Sequence, residues 1–120
     1  MKKVESLKSS IEFKSVYNTG NSKANKYLVM YVSKNQLGIN RVGISVSKKV
    51  GNSVVRHRLK RIIKEVFRLH QEVFNSGLDI VIVVRNSASL VGYHELDGAV
   101  MHLCKLHHII KANDEVNSNL

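Results

Sequence analysis

The chain has 120 residues, 43% of them apolar, which is the length and apolar content of one ordinary domain around a single core, and residues 1–120 are expected to form it. The formal net charge is +10 with a pI near 10.0, and Lys48–Arg68 alone supplies +7 of it, leaving +3 on the other 99 residues. A charge gathered in this way is a footprint for a polyanion, while the absence of a secretory-length or membrane-length apolar run and the lone Cys104 point to a cytoplasmic protein with no membrane partner.

In chain order, Ser9 with Glu12 three residues on has the form of a capping box, and Phe13, Val16 and Tyr17 follow at helical spacing before Gly20. Two strands are predicted next, over Lys26–Ser33 and Arg41–Ser47. In the second, Val42, Ile44 and Val46 share one face, and Arg41, Gly43, Ser45 and Ser47 share the other. In the first, alternation groups Tyr27, Val29 and Tyr31. A long helix follows from Gly51 to Arg68, then a β-branched run, Leu78–Arg85, that reads as a strand buried on both faces. A last helix is predicted near Tyr93–Lys111, and residues 113–120 form a polar tail expected to fray.

The long helix carries the most information. At about 100° per residue with Arg56 at zero, Lys60, Lys64, His57, Arg68 and Arg61 fall within one arc of roughly 140°, and Val55, Leu59, Ile62, Ile63 and Val66 fall opposite. Arg58 falls outside the basic arc. Cations in the opening turns oppose the helix dipole at a cost of roughly 0.3–1 kcal/mol each at exposed sites. A solvated helix face normally interleaves acids with its bases, but only Glu65 is available here. A bound polyphosphate answers the repulsion, and the preceding Lys48, Lys49, Gly51 and Asn52 lead into the helix N-terminus as a ready anion site. The aromatic residues Phe13, Tyr17, Tyr27 and Tyr31 fit two readings equally, ordinary core or platforms on which unstacked bases lie.

Catalytic constellations are missing. Asp79, Glu95 and Asp97 do not gather into a metal-binding set, and His102, His107 and His108 have no ligand spacing with Cys104. Phosphate-binding loops of the GxxxxGK(S/T) type are absent as well. A chain of this kind serves a reaction by holding something else.

The stretch VGISVSKKVGNSVVRHRLKRIIKEVFR closely resembles the signature of the bacterial ribonuclease P protein subunit: a strand ending in Ser-Lys-Lys, a Gly-Asn turn, then an Arg-Asn-Arg helix with a following Lys-Arg. LKSSIEFKSVYNTGNS resembles that family's first helix and DIVIVVR its last strand. The resemblance implies an α+β fold, a two-layer sandwich in the order α-β-β-β-α-β-α. It also implies a four-stranded sheet with a left-handed β-α-β crossover, of the ribosomal S5 domain 2 type. The fourth strand is then expected near Asn21–Asn25. It implies a subunit of a ribonucleoprotein endonuclease that removes the 5′ leader from precursor tRNA, with hydrolysis performed by the RNA and its bound Mg²⁺ and no catalytic residue in the protein. By motif match, Lys48, Lys49, Asn52, Arg56, His57, Arg58, Lys60, Arg61, Lys64 and Arg68 meet the RNA subunit. Phe13, Tyr17 and Tyr31 line the leader cleft, with Arg41 and Ser45 added from the strand-face pattern. Where the family has Asn between the two arginines, this chain has His57, whose ring changes charge near neutral pH. The protein alone is expected to be monomeric. The alternative from another class is a structural RNA-binding protein of ribosomal type.

Overall fold

The computed structural model describes residues 4–111, so the expected tail at 113–120 lies outside the described residues. The elements are β1 (Val4–Ser6), α1 (Ser10–Thr19), β2 (Asn21–Ala24), β3 (Leu28–Lys34), β4 (Asn40–Ser45), α2 (Ser53–Leu69), β5 (Leu78–Val84) and α3 (Tyr93–Leu106). The capping box forms: Ser9 Oγ accepts the Glu12 N–H at 3.1 Å, and Glu12 Oε1 accepts the N–H groups of Ser9 at 3.1 Å and Lys8 at 2.8 Å.

The class is α+β as expected, with one strand more than the expected four. In the sheet order β1-β4-β5-β3-β2, β4 and β5 run parallel and are linked through α2, whereas β3 is antiparallel to β5 and β2 to β3. The short strand near Asn21 is present as β2. The extra strand, β1, pairs in parallel with β4 over Val4–Asn40 to Ser6–Val42. Three residues without a periodic pattern leave no mark in a sequence; the pairing alone defines them.

The two faces of the sheet are covered unequally. Leu28, Met30, Val32, Val42, Ile44, Ile80 and Ile82 join Leu59, Ile63, Val66 and Phe67 of α2 and Leu96, Val100 and Leu103 of α3 in the main core. Each large side chain fully removed from water there contributes about 1.5–3 kcal/mol. On the opposite face α1 lies alone, with Val16 buried against Leu7 and Val81 and with Phe13, Tyr31 and Val83 around them. The α1 helix therefore adds a layer to the expected two.

Two expectations shift in detail. Tyr27 does not join Tyr31: the Asn25 side chain accepts the N–H groups of Tyr27 and Leu28, a turn that precedes the strand, and Tyr27 packs against the main core. The last helix ends at Leu106 rather than near Lys111, because His108 takes a left-handed conformation (φ 57°) that brings Ile110 into a bridge with Phe74.

Candidate nucleic-acid interface

The opening of α2 is built for close approach. Asn52 caps the helix by accepting the Val55 N–H at 3.0 Å, and Gly51 admits the Val55 side chain, whose Cγ1 would lie 2.7 Å from any Cβ at that position. The first turn contains no acid. Lys48, Lys49, Asn52, His57, Lys60, Arg61, Lys64 and Arg68 are exposed, on one continuous surface from the turn along the helix. The two motif arginines differ from that group. Buried Phe67 falls roughly 20° from Arg56 around the helix, so the core arc reaches further than the apolar pattern indicates. Arg56 is accordingly half-buried, and its Nε is sealed from water with no hydrogen-bond partner among the described residues. Arg58 turns away from the basic surface: its guanidinium donates to the carbonyls of Val91 at 2.9 Å and Ser89 at 2.8 Å, tying α2 to the chain entering α3. Arg68 grips Glu65 with two hydrogen bonds of 2.8 and 2.6 Å, which hold the Glu65 carboxyl below its ordinary pKa.

On the other face, the register sets Tyr31, Val81 and Gly43 in one row across the sheet and Val29, Val83 and Ser45 in the next. The tip of the Phe13 ring points at Gly43, where any Cβ would stand 2.4 Å from the ring's Cζ. Tyr17 meets Tyr31 edge to face with ring centroids 4.9 Å apart. Beside these rings Val29, Val83 and Ser45 remain partly exposed. The result is an aromatic cleft with a floor of small side chains, and it ends where β4 runs into Lys48 and Lys49. Phe13, Tyr17, Tyr31 and Ser45 thus lie on one side of the sheet.

Arg41 is placed on the same face but is fully engaged. Its Nε and one terminal nitrogen donate to Asp79 at 2.8 and 2.7 Å, and the other donates to Glu12 at 2.9 Å. The Asp79 hydrogen bond, aided by the charges of Asp79 and Glu12, raises the Arg41 pKa, and the backbone N–H groups of Lys8 and Ser9 lower that of Glu12. Arg41 acts here as the tether that fixes the start of α1 on the sheet. Sequence reasoning missed Glu12, Asp79 and Gly43 as parts of the cleft. A Gly in the middle of a strand pattern was the one available signal.

Among the described residues no group of three or more His, Cys, Asp or Glu could hold a metal ion. No helix among them is long and apolar enough to cross a membrane.

Comparison with known proteins decides the lineage of this surface. The family model described as Ribonuclease P matches residues 1–107. The chain belongs to the ribonuclease P protein family. The ribonuclease P protein component of Lachnoclostridium phytofermentans is 61% identical over 110 residues, covering 92% of this chain and 95% of that protein. That of Alkaliphilus oremlandii is 41% identical, covering 93% of this chain and 98% of that protein. Among solved structures, the Staphylococcus aureus RNase P protein superposes with a TM-score of 0.83 at 32% identity, covering 91% of this chain and all of that one. The Thermotoga maritima RNase P protein gives 0.78 at 31%, covering 85% of this chain and 96% of the other. Ribonuclease P membership makes the chain an RNA-binding protein of tRNA processing and a component of an endoribonuclease.

Proposed function

We propose that the chain binds the catalytic RNA of ribonuclease P through α2 and the Lys48–Asn52 turn, and the single-stranded 5′ leader of precursor tRNA through the cleft between α1 and the sheet. The RNA carries out hydrolysis with its own Mg²⁺, and the protein holds the substrate's leader against it. The observation that carries this reading is the opening of α2: a helix start without an acid, surrounded by exposed cations. Each such cation opposes the helix dipole at roughly 0.3–1 kcal/mol, and RNA phosphates on that surface remove the cost. The cleft supports the second half, since aromatic rings beside an open, small-residue floor accept unpaired bases. The setting that suits this task is the cytoplasm.

The test is cleavage of a precursor tRNA by a bacterial-type ribonuclease P RNA at low Mg²⁺, with and without the protein and beside a control with protein alone. Cleavage at the mature 5′ end only with both components is expected, and binding to the RNA should weaken with salt at a log–log slope of roughly −3.5 to −5 if five or six phosphates are neutralised. Binding without any effect on cleavage would instead favour a structural RNA-binding role.

A further inference from the structure

Beyond the basic stripe itself, α2 and the first residue of α3 line an open groove of about 440 Å³ formed by Arg61, Ile62, Lys64, Glu65, Arg68 and Tyr93. This is within the range of small-ligand sites, roughly 300–1,000 Å³. It lies on the α2/α3 side of the sheet, whereas the aromatic cleft lies on the α1 side. Tyr93 is the first residue of α3 and is half-buried; among the described residues its hydroxyl has no hydrogen-bond partner. Burial and the nearby Asp97 and Glu65 carboxylates raise its pKa, so the phenol is neutral. Across from it, Arg61 and Lys64 are exposed and have no ion-pair partner among the described residues, and Arg68 is 62% exposed in its pair with Glu65. Ile62 supplies an apolar wall, and the stems of the three cations add to it. The α3 side is fixed by His70, whose Nε2 lies 2.8 Å from Asp97, and by the Arg58 bonds to Ser89 and Val91, so Tyr93 is held in place before any ligand arrives.

We propose that this groove is a nucleotide pocket that receives one unpaired base of the RNA subunit, stacked on Tyr93, with its flanking phosphates on Arg61 and Lys64. Each part matches one element of a nucleotide: a ring for the base, free cations for the backbone, and Glu65 as an acceptor for an exocyclic amino group. A solvated charged face requires neither the aromatic ring nor the apolar wall. The proposal rests on the reading of α2 as the RNA-subunit surface and adds that this surface reads an extruded base as well as phosphates.

The experiment measures affinity for a bacterial ribonuclease P RNA across a salt series. Tyr93→Leu is expected to weaken binding roughly 5- to 150-fold, as for the loss of one stacked base, with the salt slope unchanged because no phosphate contact is lost. Tyr93→Phe, which keeps the ring, is expected to recover most of that loss, and Arg61→Gln to reduce the slope by about 1. Unchanged affinity in Tyr93→Leu overturns the pocket while leaving the wider reading intact; a parent protein that does not bind the RNA overturns both. Should Tyr93→Leu fail to fold, ultraviolet crosslinking of the parent protein to the RNA decides the matter. A nucleotide joined to Tyr93 supports the pocket, and crosslinks confined to other residues refute it.

Discussion

Replacing Arg41 with Met separates a tether from a leader contact. Arg41 was expected in the cleft, yet all three of its nitrogens end on Asp79 or Glu12. Met keeps most of the stem but leaves the Asp79 carboxylate, only 7% exposed, with the Asn35 amide as its remaining side-chain donor. Removing one partner of a fully buried ion pair costs about 3–5 kcal/mol; the Arg41 side chain retains 23% exposure, so about 2–3 kcal/mol is expected. In a domain of this size that is a fall of roughly 8–15 °C in Tm, read by circular dichroism. The double variant Arg41→Met with Asp79→Leu should regain much of the loss, because no charge is left stranded. Leader affinity, measured at a temperature where the variant is folded, should fall only as far as α1 loosens. An unchanged Tm combined with a large loss of leader affinity would refute the tether and return Arg41 to the binding surface.

At Gly43, Val should displace the Phe13 ring, since a Cβ there would stand 2.4 Å from its Cζ. Overpacking of this kind costs about 1–3 kcal/mol, and binding of a fluorescent leader oligonucleotide by the RNA–protein complex should weaken; full leader affinity would show that the ring is not part of that site. His107 gives a pH dependence. Burial, outweighing its Nε2–H hydrogen bond to the Met30 carbonyl at 2.9 Å, lowers its pKa from the ordinary 6.5, with Lys23 and His108 acting in the same direction. The unfolded chain therefore binds the proton first. Its contribution is complete above about pH 6.5 and is lost as pH falls toward the lowered folded value. Urea midpoints between pH 8 and pH 5 should fall on acidification and do so less in His107→Gln; a variant with the same slope as its parent would remove His107 as the cause.

The α2 helix, the α1 capping box, the alternation of β3 and β4 and the β-branched run of β5 were legible because each is a local pattern that marks its element. What stayed hidden depends on long-range partners. Arg41 read as a free cation because Asp79 lies 38 residues away. Arg58 fell outside the basic arc on the wheel and was matched to an RNA contact by motif alone, because its acceptors belong to the approach to α3, which a helical wheel of α2 cannot include. Arg56 read as the edge of the basic arc because the wheel takes no account of how far the core wraps around the helix, and buried Phe67 sets that limit.

One small sheet carries two different surfaces without mixing them. Residues of opposite parity in β4 serve opposite faces: Val42 and Ile44 anchor the α2/α3 side, while Arg41, Gly43 and Ser45 build the α1 side. A one-residue slip in β4 would bury Arg41 in the main core and expose Ile44 in the cleft, so register couples the two sites. Asn40 pins that register: its side chain accepts the Leu78 N–H at 3.0 Å and donates to the Asn75 carbonyl at 2.7 Å, locking β4 to β5 at the end opposite the basic turn. The polar residue that looks least functional in the strand thereby holds the cleft floor and the start of α2 in one fixed relation, which the proposed grip on a leader at one face and on RNA at the other requires.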